Sequence, residues 1–224
     1  MNTPNDRLAV LPKCHEPVDI LREEEGFVLL AKPAGLLSVP GRNPENYDCV
    51  LARLQLEYPN ASMVHRLDYD TSGVMVAARH KRAHGVIARQ FERRETGKTY
   101  IAVVAGELAL ESAEINLPVA PDKQHRPRYK VCEATGKASL TRYRRLSYDA
   151  GANTTRVELY PVTGRSHQLR VHLNAIGHPI LGCQFYAPPA IRDAAPRLLL
   201  HATELQFVSP DDGSSVHARV ECPF

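Results

Sequence analysis

The stretch HRLDYDTSG (residues 65–73) lies between two apolar runs, ASMV (61–64) and VMVAA (74–78). Short apolar runs bounded by turn residues predict strands, and DTSG contains the residue types that form tight turns. The stretch therefore predicts a turn at which the carboxylate of Asp68, a guanidinium, an imidazole and the hydroxyl groups of Thr71 and Ser72 come together. Such a turn on a rigid scaffold is a candidate functional site, although Asp68 could equally cap the turn.

The pattern on both sides of this stretch predicts an α+β domain built on a largely antiparallel sheet. FVLLAKPAG (27–35) predicts a buried strand that runs into a turn, and residues 107–138, which are polar and hold three prolines, predict irregular structure with hairpin elements. Helices are predicted at 49–59, 80–94 and 166–177, and further strands at 98–105, 139–149, 154–163, 197–208 and 214–221.

Composition excludes several classes of protein. The chain has no apolar run of about 18 residues that could span a bilayer, and its first residues, MNTPNDRLAVLPKCHEP, resemble no export or organelle signal, so we expect a cytoplasmic protein. The scattered cysteines form no CxxC pair and predict reduced thiols rather than a disulfide framework or a zinc site; they are Cys14, Cys49, Cys132, Cys183 and Cys222.

Charge is unevenly distributed along a chain whose net charge is only +3. Residues 79–98 hold seven Lys or Arg against two Glu, and residues 123–145 hold eight against Glu133 alone. Two basic tracts of this kind could form one face for a polyanion, or they could be solvated surfaces.

A second polar cluster, TGRSHQLRVH (163–172), is predicted where a strand end leads into a helix. Free N–H groups at a helix start favour an anion, and Arg165 adds a cation. His167 and His172 are five residues apart and would point about 140° apart on a helix, which argues against a metal site and makes His172 a hydrogen-bonded helix histidine. The chain has no GxSxG, GxxxxGK[ST] or GxGxxG motif, which disfavours hydrolase and nucleotide-cofactor chemistry.

Taken together, HRLDxxTSG and GRxHQLRxH closely resemble the motifs of the RluA-type family of pseudouridine synthases. The resemblance extends in the family's order to KPAGLLSVPG (32–41), GKTY (97–100), GHPILG (177–182) and RLLLHA (197–202). It implies a mixed, mainly antiparallel bent sheet in two lobes flanked by helices, with a central RNA-binding cleft. It also implies a short N-terminal extension (1–20) before a catalytic domain (21–224), without the S4-like domain of larger relatives.

The same resemblance implies the roles of individual residues. Asp68 is expected to be the one catalytic carboxylate, acting either as nucleophile on C1′ or as base on the 2′ proton, without metal or other cofactor. Arg165 is expected to pair with Asp68, Tyr100 to stack on the target uracil, and Leu200 to pack beside it. Expected RNA-binding or base-flipping residues are Arg66, which would fill the space left by the flipped base, together with His65, Thr71, Ser72 and Arg170.

Compact members of the family modify an anticodon-loop uridine of tRNA and a hairpin-loop uridine of 23S rRNA, so stem-loops of both RNAs are the expected partners of a monomeric enzyme. Three alternatives stay open. The chain could be a non-catalytic protein that binds structured RNA, a family member acting on rRNA only, or a metal-dependent phosphodiesterase using His65, Asp68 and His167.

Overall fold

The structure, a computed structural model, describes residues 9–224. These residues divide into two compact units, one of residues 9–93 and 208–216 and the other of residues 94–207 and 217–224. Residues 1–8, which belong to the predicted extension 1–20, lie outside the described residues. The first strand begins at Asp19, so the end of that extension is part of the first unit.

The first unit presents the Asp68 stretch on a small antiparallel sheet. Its elements are β1 (Asp19–Glu23), β2 (Phe27–Lys32), a 3-10 helix (Pro44–Asn46), α1 (Val50–Leu54), β3 (Ser62–Met63), β4 (Ser72–Ala78) and α2 (Lys81–Arg93). The strand order is β1–β2–β4, and β3 also pairs with β4. Every residue of β4 is buried, as its apolar sequence predicts, and the predicted helix α2 buries Ala83 and Ile87.

The remaining elements belong to the second unit, apart from Val208 and the start of the last strand. They are β5 (Gly97–Ala105), β6 (Ser112–Asn116), β7 (Val119–Pro121), β8 (Tyr129–Val131), β9 (Leu140–Asp149), β10 (Thr154–Pro161), α3 (Gln168–Ala175), α4 (Pro189–Arg192), β11 (Leu200–Val208) and β12 (Ser215–Arg219). The strands of its main sheet lie in the order β11–β5–β10–β9–β6, and β7 and β8 form a separate hairpin.

Helix α3 covers one face of this sheet and closes the core of the second unit. Leu169 and Leu173 are buried against strand residues such as Ala102 and Leu159, and Ile176 packs beside them. The predicted 3.6-residue spacing of these helix positions is therefore confirmed. Removal of this apolar surface from water holds α3, and the loop that precedes it, against the sheet.

The predicted α+β architecture with a mainly antiparallel sheet is confirmed, with differences at the ends of several elements. The helix predicted at 49–59 ends at Leu54, and the strand predicted at 197–208 begins at Leu200.

Ser72 and Gly73 belong to β4 rather than to the predicted turn, and Gly73 pairs with Lys32 at the end of β2. Helix α3 begins at Gln168, two residues later than predicted, because His167 adopts a left-handed φ of 56° that ends the loop before the helix. The predicted RNA-binding cleft stays a prediction.

Candidate active site

Asp68 lies in a turn whose backbone is held on both sides. Its carbonyl oxygen accepts a hydrogen bond from Thr71 N–H at 3.1 Å, which closes the turn. The preceding Leu67 is buried, and its N–H and C=O both bond to the Ser38 hydroxyl group, at 3.1 and 2.8 Å. The half-buried Asp68 side chain therefore projects from a fixed backbone position.

A buried lysine fastens this turn to the KPAG stretch. Lys32 Nζ donates hydrogen bonds to the carbonyl oxygens of Pro33, Leu36 and Tyr69, at 2.8, 2.7 and 3.2 Å. Gly35 N–H also donates to the Tyr69 carbonyl at 2.9 Å. Tyr69, the residue directly after Asp68, thus accepts two hydrogen bonds from the KPAG stretch. The sequence resemblance includes that stretch but assigns it no role.

His65 braces the strand beside the turn. Its Nε2 accepts the backbone N–H of Val76 at 3.1 Å, which makes Nδ1 the protonated ring nitrogen of the neutral form. Its ring stacks on Phe91 of α2, with ring centres 4.5 Å apart. Of the two roles considered for His65, contact with RNA or support of the turn, these contacts favour support.

The other residues predicted to touch RNA from this motif differ in exposure. Thr71 and Ser72 are buried, and their burial favours a structural role over the predicted contact with RNA. Arg66 is exposed and makes no hydrogen bond or ion pair within residues 9–224. Of Arg66, Thr71 and Ser72, Arg66 is therefore the residue whose side chain is open to a nucleic acid.

In the second motif, the side chain of Gln168 organises the loop that carries Arg165. Gln168 Oε1 accepts the Arg165 N–H at 3.0 Å and the Thr163 hydroxyl group at 2.7 Å. Gln168 Nε2 donates to the Leu140 carbonyl and to the Thr141 hydroxyl oxygen, both at 3.0 Å. One buried amide thus joins the loop to strand β9.

His172 continues this network and is satisfied, as the sequence predicts. Its Nε2 must donate to the Leu117 carbonyl at 2.9 Å, so its Nδ1 accepts the Thr141 hydroxyl group at 3.0 Å. Burial lowers the pKa of His172, which favours the neutral ring that this pattern requires.

Arg170, which was predicted to contact RNA, is only 1% exposed. Its Nε donates to Cys183 Sγ at 3.4 Å, and its guanidinium carbon lies 5.2 and 5.5 Å from the ring centres of Phe185 and Tyr186. Cation–π contacts of this kind hold a guanidinium in a fixed place. The burial of Arg170 therefore favours a role inside the protein over the predicted contact with RNA.

The remaining predicted residues occupy different environments in the second unit. Arg165 is half-buried, and its Nε finds no hydrogen-bond acceptor within residues 9–224. Tyr100, on β5, is half-buried against the core. Leu200 is 3% exposed and belongs to that core, which supports the packing role that sequence analysis also allows for such a strand residue.

An aromatic cluster that the sequence did not predict surrounds His167. Tyr186 Oη lies 2.6 Å from His167 Nδ1 and accepts the N–H of Tyr129 at 2.9 Å. The His167 ring stacks on Phe185, with centres 5.7 Å apart. Because Tyr129 lies on β8, the cluster joins the β7–β8 hairpin to the GRSHQLRVH segment. The adjacent aromatic residues at 185 and 186 were the available signal.

The tip of the β7–β8 hairpin carries the basic tract predicted at residues 123–130. Lys123, Arg126 and Arg128 are exposed there. Asp122 bonds to His125 at 2.9 Å, and this contact, followed by the N–H of Gln124, lowers the pKa of the carboxyl group. One carboxylate at the start of the hairpin loop therefore leaves the tip positively charged.

No group of three His, Cys, Asp or Glu side chains among residues 9–224 could hold a metal ion. No helix in this part of the chain is long and apolar enough to cross a membrane.

Comparison with known proteins adds independent evidence. Residues 26–175 match the family model described as RNA pseudouridylate synthase, which covers more than half of the chain. The chain belongs to the RNA pseudouridylate synthase family. Its members are isomerases that convert uridine in RNA to pseudouridine, and this reaction class is assigned to the chain. Asp68, Tyr100 and Arg165 lie inside the matched range.

Individual relatives of the RNA pseudouridylate synthase family agree with this placement. The chain is 49% identical to the dual-specificity RNA pseudouridine synthase RluA of Yersinia pestis, over 92% of this chain and 99% of that protein. It is 48% identical to the protein of the same name from Escherichia coli K12, over 92% and 93%. The solved human RNA pseudouridylate synthase domain containing 1 is 29% identical, with a TM-score of 0.80 over 95% of this chain and 86% of that one.

Proposed function

We propose that the protein isomerises uridines in two classes of RNA, an anticodon-loop uridine of tRNA and a hairpin-loop uridine of 23S rRNA. The observation that carries the proposal is near-50% identity, over 92% of the chain, to synthases named for dual specificity. The exposed basic tip of the β7–β8 hairpin supports a polyanionic substrate.

The reaction breaks the bond between N1 and C1′, turns the uracil within the site, and joins C5 to C1′. No group leaves and no water is consumed, so one carboxylate suffices where a glycosidase uses two. We assign that carboxylate to Asp68, acting as nucleophile on C1′ or as base on the 2′ proton. The braced backbone on both sides of Asp68 supports this assignment, because a reacting group must be held in place.

The proposed role of Arg165 is to keep the Asp68 carboxylate ionised and aimed. Arg165→Gln should therefore lower the rate at saturating RNA by orders of magnitude, whereas replacement of an arginine that only binds phosphate would weaken RNA binding instead.

Three further residues have proposed contacts with the target nucleotide. Tyr100 stacks on the uracil while it turns, and Leu200 supports that side from the core. Arg66 enters the base stack when the target flips out, which its exposure and its lack of partners within residues 9–224 support. We also infer a cytoplasmic monomer that needs no metal or organic cofactor.

The first experiment maps pseudouridines in unmodified total tRNA and 23S rRNA after incubation with the purified protein, without added metal or nucleotide. Asp68→Asn is assayed beside Asp70→Asn, a carboxylate in the same turn. We expect discrete sites with wild type and Asp70→Asn, and RNA binding without modification by Asp68→Asn. Full activity of Asp68→Asn would remove the catalytic assignment. RNA binding without modification by wild type would favour a non-catalytic RNA-binding protein.

A further inference from the structure

The loop at Gly164–Ser166 presents several hydrogen-bond donors without acceptors. The backbone N–H groups of Gly164 and Ser166, and the Ser166 hydroxyl group, make no hydrogen bond within residues 9–224. The Nε of Arg165, which is buried, has none either in that range. Gly164 is exposed, so water can serve its N–H, but an unpaired donor away from water is costly, and the buried Arg165 Nε therefore favours an acceptor supplied by a ligand.

A lysine from a neighbouring strand adds a cation at the same place. Lys98 Nζ lies 3.8 Å from the position that a Cβ on Gly164 would occupy. Lys98 is half-buried and makes no hydrogen bond or ion pair with any described residue. Burial, followed by the charge of Arg94, lowers its pKa, so an anion that pairs with the ammonium group would be stabilised.

The wider surroundings are positive. Lys98, Arg94 and Arg142 line one cavity of about 470 Å³ on the second unit. Glu204 also lines it, and Arg142 is paired with Glu114 at 2.7 Å. The lining cations that make no ion pair within residues 9–224 are Lys98 and Arg94. The excess of positive charge selects an anion rather than a cation or a neutral group.

The position of Lys98 along β5 relates this site to the target nucleotide. Lys98 and Tyr100 are two residues apart on one strand, so their side chains leave the same face about 7 Å apart. Tyr100 is proposed to stack on the target uracil. An anion bound at Lys98 would therefore lie within the span of one nucleotide from the reacting base.

We propose that Lys98 and the Gly164–Ser166 loop bind a phosphodiester group of the RNA, at a linkage next to the target uridine. This inference rests on the proposed function, because it takes RNA as the ligand and Tyr100 as the residue against the uracil. The contact holds the ribose while the uracil detaches and turns, so that C1′ stays in place for the new bond.

The test combines a protein variant with a modified RNA. Lys98→Met is compared with wild type in binding to a substrate stem-loop in which single linkages are replaced by neutral methylphosphonates. We expect Lys98→Met to weaken binding about tenfold and to reduce the slope of log affinity against log salt by about one. Neutralising one linkage beside the target uridine should weaken RNA binding by wild type and leave RNA binding by Lys98→Met unchanged.

Controls separate this result from other causes. Lys13→Met removes an exposed lysine outside the site and should behave as wild type, and Lys98→Arg should retain most of the affinity. Equal sensitivity of wild type and Lys98→Met at every linkage would overturn the proposal. A second result would also overturn it: inorganic phosphate competes with RNA for wild type but not for Lys98→Met, and no single linkage affects the two proteins differently. That result would assign the site to a free anion. Binding is measured without turnover. Failure of the Lys98 proposal can therefore be distinguished from failure of the proposed function, which would appear as absence of pseudouridine formation by wild type.

Discussion

The hydroxyl oxygen of Tyr186 lies 2.6 Å from His167 Nδ1 and accepts the backbone N–H of Tyr129 at 2.9 Å. One phenol group thus fastens a hairpin strand to the residue that precedes helix α3. The ring contacts of Tyr186 do not depend on its hydroxyl group, so a variant can remove the two hydrogen bonds and keep the packing.

Tyr186→Phe should lower the free energy of unfolding by about 1–2 kcal/mol, because a half-buried N–H and a ring nitrogen lose their common partner. Urea unfolding measures the change. Tyr148→Phe is the matched control, because among residues 9–224 its hydroxyl group bonds to the Asn153 side chain alone, at an exposed hairpin end, and its loss should cost little. Equal stability of Tyr186→Phe and wild type would show that these bonds do not hold the hairpin.

Gln168→Met should lower the rate at saturating RNA by about tenfold to a hundredfold, while RNA affinity changes little. The variant keeps the volume of the side chain but frees the Arg165 N–H and the Thr163 hydroxyl group, so the loop loses its fixed geometry. Single-turnover kinetics separate rate from affinity. Asn174→Met, at an exposed position of the same helix, serves as the control. A change confined to affinity would contradict the positioning role.

Lys32→Met should lower the free energy of unfolding by about 2–4 kcal/mol, because three carbonyl oxygens lose a charged donor inside the protein. Urea unfolding of Lys32→Met and of the exposed Lys81→Met provides the comparison. Since one of the three carbonyls belongs to Tyr69, pseudouridine formation should also slow in folded Lys32→Met. Unchanged stability would mean that water replaces the ammonium group at no cost.

Two buried histidines should make the protein less stable as the pH falls. Burial lowers the pKa of His201 from 6.5 to about 4, and it also lowers the pKa of His172. Below pH 6.5 these histidines bind protons in the unfolded chain but stay neutral in the folded chain. The free energy of unfolding, which is highest above pH 6.5, therefore declines toward pH 4. For His201 the loss is on the order of 3 kcal/mol.

Urea unfolding across this pH range measures the decline. His201→Gln, which keeps a polar group but does not titrate, should flatten the profile. His15→Gln, at an exposed position, should leave it unchanged. An unaltered profile in His201→Gln would assign the decline to other groups.

Removal of a basic residue at the hairpin tip should weaken RNA binding and make the remaining affinity less dependent on salt concentration. Lys123→Ala and Arg126→Ala should each lower the slope of log affinity against log salt by about one, because each side chain is exposed and able to reach a phosphate. Filter binding at several salt concentrations measures the slope, and Lys13→Ala is the control. Slopes that match wild type would place the RNA elsewhere on the protein.

Much of the fold could be predicted from the sequence, because burial imposes a period on the chain. In β10 every second residue is buried, so the alternation of its side chains is visible in the letters themselves. The apolar run of β4 and the stripe on α2 are equally direct. Helix α3 starts later than predicted because His167 has a left-handed backbone conformation, which no local pattern encodes.

The candidate site was less predictable, because the sequence does not show whether a charged residue is buried or exposed. Arg170 and Lys32 have residue types that are mostly exposed in proteins, and both are buried here. Each is held by groups distant in the chain, such as Phe185 for Arg170 and the Tyr69 carbonyl for Lys32. Contacts of this kind arise only when the fold brings the segments together.

The β7–β8 hairpin leaves and rejoins the second unit at adjacent points, since Val119 and Lys137 exchange backbone hydrogen bonds at 3.0 Å. A segment with neighbouring ends can change length or sequence at small entropic cost to the rest of the fold. Its basic tip is separate from the strands that carry Tyr100 and Leu200. We therefore expect the tip, residues 122–128, to tolerate exchange while Tyr129 keeps its bond to Tyr186, and we expect such an exchange to change which RNA stem-loop is bound.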